Sequence, residues 1–573
     1  MKNDDTDAQK RILFATILTT VLILAWVQWY GRKTISKSEI ENFKKENAVK
    51  TEKIAEKKSD EIIDDKADNK VETKNKAQPL SEKRIAIKND KISGSINLRG
   101  LIFDDLTLND YKVSVDGEEK IKLLKNQNSQ DGYFINIGWL SEETETPNEN
   151  TLWKSDRDSL DFEKPVTLSY KNKDDILYEV VISIDKNYMF NIEQKIKNNG
   201  KKNILIKTKN LIAKKDIEDS DTTYSGFIGG INKSIEEVKY KQISKKDFKF
   251  TKNVDWGGWT DKYWLVVFAN KKINDNFEFN SSVAELTQDG NFYKLIFSSE
   301  NISIEPSQEY KNTTYVFTGA KVLTLLDEYE KDYELPLFDR AIDFGWYYFL
   351  TKPMYLLLKS FNDAMGSFGA AILLLTFLIK ILLYPMSYKS FVSMAKIKKI
   401  KPEIDAIKKK HGDKKMDAQK ETIELYKQKG ISPLSGCLPT LLQIPVLFSL
   451  YKVFTISIDM RHAPFFGYIK DLSSKDPTTF LNLFGLLPYD TPLFHIGLLP
   501  CLMALTTWWQ QKIGGTSGNE SKEMTMATKF MPVMFLFLFS AMPSGLLIYW
   551  TFSNIISIIQ QYVTERRIKR IIK

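Results

Sequence analysis

One lysine stands where lysines rarely stand. Lys380 lies inside the apolar run 368–385 (FGAAILLLTFLIKILLYP). A charge held inside a bilayer costs about 3 kcal/mol even on lenient insertion scales, so such a residue has either a task or a route back to water. The task open to an ammonium there is electrostatic, because a low dielectric strengthens its attraction for carboxylates and polar groups. The route to water is also open: Tyr384 and Pro385 mark the end of the run close by, within reach of a snorkelling lysine. Little else in the chain offers chemistry. The three histidines (His411, His462 and His495) are too scattered for a metal site, and the two cysteines (Cys437 and Cys501) fall in apolar runs and read as packing residues. The polar middle of the chain holds no Gly-rich phosphate loop, no metal-ligand spacing and no nucleophile elbow. No catalytic centre, metal or cofactor is expected, and the chain does not read as an enzyme.

The elements that must position Lys380 follow from how apolar residues are distributed. A hydrophobic fraction of 43% and a mean hydropathy of −0.30 over 573 residues look soluble on average. The average hides apolar residues gathered at the N-terminus and in the segment 363–573. Residues 12–30 (ILFATILTTVLILAWVQWY) are about the 20 needed to cross a bilayer and end in Trp26, Trp29 and Tyr30, residues of a membrane interface. The run is too long for a cleaved leader and lacks a small-residue cleavage site, so residues 1–30 are read as an anchor. Residues 31–80 carry 13 Lys/Arg against 11 Asp/Glu with Phe43 as the one aromatic, the composition of a charged linker. From 81 to 335, segments such as YEVVISID and NILIKTKN alternate with period two between turn residues, which predicts a large antiparallel β-sandwich. Residues 336–362 are apolar and aromatic but broken by Asp343, Lys352, Pro353 and Lys359; they read as an amphipathic helix in the membrane interface, or as a buried helix closing the sandwich.

Further spans are expected at about 368–386, 433–456, 493–511, 528–541 and 546–563, making six with the anchor and a five-helix core over 363–565. The run 528–541 is short, roughly 21 Å against a hydrocarbon core of about 30 Å. Pro433, Pro439 and Pro445 free backbone carbonyls, a feature tolerated where helices pack or line a watery cavity. Between the second and third spans lies a Lys-rich helical hairpin, 387–430; the stretch 386–429 holds 13 lysines and 6 acids. The tail 566–573 follows Glu565 in ERRIKRIIK, five bases and one acid. Both basic segments belong on the cytoplasmic side, which with six spans places both termini inside and residues 31–335 outside. The first span alone does not show this, since residues 1–11 carry three bases and three acids.

Three long stretches carry a resemblance: TFLIKILLYPMSYKSFVSMAKIKKIKPEIDAIKKKHGD, LYKQKGISPLSGCLPTLLQIPVLFSLYKVF and FMPVMFLFLFSAMPSGLLIYWTFSNIISIIQQYV. YSGF at 224–227 and WGGWTDKYW at 256–264 add to it. The chain resembles the YidC/Oxa/Alb family of membrane protein insertases, in the Gram-negative form with a large periplasmic domain. The resemblance implies a polytopic inner-membrane protein whose core helices enclose a hydrophilic groove open to cytoplasm and lipid. It implies that a positive residue in the second span attracts the polar outer segment of an incoming protein, whose apolar helix then slides into lipid without ATP or cofactor. By position Lys380 takes the place of the family's groove arginine, with Thr376 one turn earlier, and Gln443, Tyr549 and Trp550 match other groove positions. Lysine keeps the charge there and loses the planar fork of donors.

The partners implied are nascent membrane proteins and the Sec translocon (SecY, SecD and SecF). Ribosomes and anionic lipids would meet the basic hairpin and tail; no DNA is expected. The same lysines would also suit ordinary solvated helix faces with no partner. Two other functions fit less well. A small-solute transporter would use six spans and a polar pocket, but the spans show no repeated halves. A membrane-anchored glycan-binding protein would need only the first span.

Overall fold

The computed structural model describes residues 83–571 apart from 216–223, 252, 271–282, 346, 413, 432–437, 486–495 and 515–521. The expected anchor at 12–30 and linker at 31–80 lie outside the described residues.

The alternating segments do become strands. In Ile176–Ile184 every second side chain is buried, and its partner Met189–Asn198 pairs with it in antiparallel register, Ile182 opposite Ile192. Among the described residues the strands form two sheets, of twelve and nine strands, stacked face to face. Rings from the two sheets interdigitate: Phe103 meets Phe190 edge-on at 5.6 Å and Phe297 meets Phe268 at 5.7 Å. Such ring pairs add to the area term that drives the stacking. All described pairings are antiparallel except one, in which Ala86 and Ile87 run parallel to Ser159 and Leu160.

The strand Val254–Thr260 shows why its glycines matter. A Cβ on Gly258 would lie 2.0 Å from the carbonyl oxygen of Val266 on the neighbouring strand. The two tryptophans of this strand face opposite ways. Trp259 Nε1 donates across the sandwich to the Ile212 carbonyl at 3.3 Å, whereas Trp256 Nε1 donates at 2.9 Å to Pro336, where the chain leaves the sandwich.

That exit is built on charge. Lys321 is buried at the end of the strand Glu309–Ala320, and its Nζ donates to Thr260 Oγ1 at 3.1 Å and to the Ala341 carbonyl at 3.3 Å. Burial pushes its pKa down to about 8, against the pull of Asp261, Asp343 and Glu237. Between pH 8 and 10 the unfolded chain therefore holds a proton at this lysine that the folded chain has released. Stability should rise with pH across that window, by up to about 3 kcal/mol over the full shift. Lys321→Met removes this rise, as denaturant titrations at pH 8 and pH 10 will read; equal slopes in both proteins would assign the pH dependence elsewhere.

Helix α1 (Leu323–Asp332) and a 3₁₀ turn at Phe338–Ala341 lead into α2 (Tyr348–Met365). Lys352 of α2 joins Asp327 and Asp339 at 2.7 and 2.8 Å, and Tyr348 donates to Asp339, so α2 is pinned to α1 and the turn. One side of α2 buries Thr351, Tyr355 and Leu358 while Phe349 stands 73% exposed with Leu356 and Leu357. The exposed side of the helix is thus largely apolar.

The core follows as α3 (Phe368–Leu382), α4 (Tyr384–His411), α5 (Lys415–Gln428), α6 (Leu438–Ile456), α7 (Leu498–Gly514), α8 (Lys522–Phe539) and α9 (Ser544–Ile571). Ser367 Oγ caps α3 by accepting from Ala370 N at 3.4 Å. Between α3 and α4 the axis bends by 64° at Leu383, where Pro385 sits in the first turn of the new helix. Helices α4 and α5 pair around a small separate core of Ile397, Ile400, Ile404, Tyr426 and Ile431, and Lys410 and His411 join Glu421 near the tip.

Two helix extents differ from the apolar runs that announce them. α8 starts at Lys522 rather than near 528, so at about 27 Å it is longer than its apolar stretch; a polar first turn leaves no hydropathy signal. α9 continues without a break through the basic residues to Ile571. The start of α7 is capped from a distance: buried Asp476 accepts from Leu499 N at 2.7 Å. Among the described residues no single helix is long and apolar enough to cross a membrane; the bent pair α3–α4 passes that test together.

Candidate functional site

The helical core exposes apolar side chains and buries a polar stripe among its apolar packing residues. Phe377, Leu441, Phe448, Phe530 and Met534 are exposed, and Leu382 is 78% exposed. Ser553, Asn554, Ser557, Gln561 and Thr564 are buried along α9. Exposed apolar faces of this extent are costly in water and suit a surrounding hydrocarbon phase.

Lys380 comes from the last turn of α3 and is half-buried with its Nζ turned into the bundle. It donates to Ser557 Oγ of α9 at 2.9 Å and to Gln443 Oε1 of α6 at 3.5 Å. The Gln443 amide nitrogen in turn donates to the hydroxyl of buried Tyr549. Three helices thus meet through one chain of polar side chains: α3 gives the ammonium, α6 the amide and α9 the two hydroxyls. Gln560 Nε2 adds a contact to the Lys380 carbonyl at 3.4 Å. No carboxylate pairs with Lys380 among the described residues. The cluster therefore holds an uncompensated positive charge whose partners are neutral acceptors.

Of the five residues singled out in the sequence, Lys380, Gln443 and Tyr549 are brought together. Thr376 is fully buried, but its hydroxyl donates to the Ile372 carbonyl at 2.6 Å in its own helix. Trp550 points the other way, packing on Phe535 and Phe539 of α8 with ring centroids 5.8 and 4.9 Å apart. Adjacent residues on a helix are turned about 100° from each other, which puts Tyr549 against Gln443 and Trp550 against α8. Ser557 and Gln560 were not anticipated. The signal that marks them is the recurrence of polar residues at 549, 553, 557, 560, 561 and 564, a stripe at helical spacing through an apolar segment.

Some of the polar atoms inside the core have no partner. Ser449 Oγ, Thr551 Oγ1 and Gln561 Nε2 are buried and make no hydrogen bond. Elsewhere the bundle does satisfy such groups: Asn554 Nδ2 donates to Thr506 and Thr507 of α7 at 3.1 and 2.9 Å, tying α7 to α9. On the first helix of the hairpin, Lys398 of α4 pairs with Glu565 of α9 at 2.8 Å and donates to the Ile513 carbonyl at the end of α7. Among the described residues, those around Lys380 offer attraction and hydrogen bonding.

Comparison with known proteins bears on the family of the chain. Residues 84–357 match the family described as YidC periplasmic domain, and residues 360–571 match the 60Kd inner membrane protein family. The membrane protein insertase YidC of Rickettsia africae (strain ESF-5) is 43% identical over 493 residues, covering 84% of this chain and 87% of the relative. That of Rickettsia canadensis (strain McKiel) is 41% identical over 565 residues, 97% of this chain and 98% of the relative. A crystal structure of an active YidC insertase with its first transmembrane domain resolved is similar over 84% of this chain and 93% of its own, at 20% identity and a TM-score of 0.36. On the strength of the two relatives, which share more than two-fifths of their residues with it over most of their length, this chain belongs to the YidC family of bacterial inner-membrane protein insertases.

Proposed function

We propose that this membrane protein insertase receives the polar or acidic outer segment of an incoming protein at Lys380, then releases the apolar helix behind it into lipid. The observation that carries the reading is the unpaired ammonium of Lys380, held by neutral acceptors from α6 and α9 inside a bundle whose outer faces are apolar. A carboxylate arriving in a low dielectric gains most beside a cation that has no carboxylate of its own. The unpartnered groups of Ser449, Thr551 and Gln561 suit water or a passing peptide backbone. The apolar helix gains about 25 cal/mol per Å² on leaving water, enough to drive the step without a nucleotide.

In this reading the chain crosses the inner membrane six times, with both termini in the cytoplasm and residues 31–335 in the periplasm. The basic hairpin and the basic end of α9 support that orientation. The same residues suit anionic lipid headgroups and ribosomal RNA, and the family resemblance adds the Sec translocon as a partner. A small-solute transporter is the weaker reading, since the polar cluster holds one charge and no bound-ion geometry. The deciding experiment is insertion of a small single-span protein into proteoliposomes containing this protein alone, read by protease protection. Protection above that of empty liposomes is the expected result. Its absence, with the protein folded and correctly oriented, would remove autonomous insertion from the reading.

A further inference from the structure

Helix α6 carries Gln443 near its start, and its far end is fastened to the rest of the molecule at successive points. Lys452 Nζ pairs with Asp343 at 2.8 Å, in the connector between the 3₁₀ turn and α2. The Thr455 carbonyl accepts from Tyr263 OH of the sandwich at 3.4 Å. Just past the helix, Asp459 accepts from Tyr355 OH of α2 at 2.5 Å, and Arg461 donates to the sandwich carbonyls of Lys112 and Val113 at 2.6 and 3.0 Å. The other end of α6 is held differently: Gln443 is bonded to Lys380 and Tyr549, and Leu441, Ile444 and Phe448 are exposed.

Between the two ends stands Pro445. It has no N–H to give the Leu441 carbonyl, so the helix ladder has one rung fewer there and the two halves are joined more softly than in an unbroken helix. The clamped half therefore sets the direction from which the other half enters the bundle. Asp343 is the one carboxylate of the connector that meets α6, and it sits against the charged exit of the sandwich, within the electrostatic reach of Lys321 and Glu237.

We infer that Asp343 is a positioning residue for the groove: by holding Lys452 it fixes α6 so that Gln443 meets Lys380 and Tyr549. The β domain then contributes to insertion by orienting a helix it does not contain. This inference rests on the reading of the Lys380 cluster as the substrate groove, and the experiment separates the two.

Spin labels at Leu441→Cys and Ile559→Cys, both exposed positions, are placed in full-length protein lacking Cys437 and Cys501, and the distance distribution is measured in lipid nanodiscs. The same protein without labels is assayed for insertion in proteoliposomes. Asp343→Asn is expected to shift or broaden the distribution and to slow insertion about fivefold, the scale of one partly exposed ion pair. The charge swap Asp343→Lys with Lys452→Asp is expected to restore both, which a general loss of folding would not do. An unchanged distribution in Asp343→Asn, or a swap that restores neither, overturns the positioning role. A shifted distribution with insertion at full rate would keep Asp343 as the holder of α6 and overturn the groove reading instead.

Discussion

Replacing Lys380 with glutamate lowers the insertion of substrates with acidic outer tails about a hundredfold, whereas Lys380→Arg retains it; about 3 kcal/mol for a misplaced charge inside the membrane converts to that factor. The fold should tolerate the glutamate. The acceptors around Lys380 Nζ, at 2.9 Å on Ser557 and 3.5 Å on Gln443, are a hydroxyl and an amide, and both can turn to donate. What changes is the sign of the charge that an incoming carboxylate meets. A substrate whose outer tail is neutral should lose much less, and that contrast separates an electrostatic role from a damaged bundle. The measurement is the rate of protease protection in proteoliposomes for a matched pair of substrates with acidic and neutral tails. Normal insertion of the acidic one by the Glu variant would sink the role given to Lys380.

The second large effect lies in the sandwich. Gly258→Ala should destabilise it by about 3 kcal/mol or more, since the two atoms nearest the new methyl group are backbone and cannot swing aside. The added Cβ would stand 2.0 Å from Val266 O and 2.5 Å from Val267 Cα, both backbone atoms of the paired strand Trp264–Asn270. The two strands must separate where Gly258 faces Val267 in the register. For a domain of this size such a loss lowers the melting temperature by roughly 10 °C. Gly290→Ala is the control: its added Cβ would meet nothing within 4 Å, and its φ of +58° costs only about 1 kcal/mol. Tryptophan fluorescence melting of the detergent-solubilised protein distinguishes them, because Trp256 and Trp259 flank Gly258. Equal melting of both variants would mean that the sheet yields at this point.

The β domain was readable because period-two burial is a local property. YEVVISID alternates in the sequence, and Ile176–Ile184 alternates in the structure. The parallel bridge from Ala86 to Ser159 joins residues far apart through two positions, and no short pattern announces it. In the core, Lys380 declared itself because a charge in an apolar run is costly, while Gln443 and Tyr549 were reached through the family resemblance. Ser557 escaped because a lone serine in a helix costs little and stands out only when Tyr549, Ser553 and Gln561 are read with it as one stripe. Trp550 lies beside the cluster, packed on Phe539 of α8, while its neighbour Tyr549 meets Gln443; sequence alone does not say which of two adjacent aromatics turns toward the lysine. The helix ends were the least legible, since polar first and last turns, as at Lys522 and Ile571, carry no apolar signal.

The unbroken run of α9 has a mechanical side. Its 28 residues make a rod of about 42 Å, with the hydroxyl of Tyr549 near one end and the guanidinium groups of Arg566 and Arg570 near the other. Within the run there is no proline or glycine beyond the first turn. A stiff rod conveys twist as well as thrust. A twist applied at the basic end would reach the hydroxyl-bearing end with little loss, and the Glu565–Lys398 pair ties that basic end to α4.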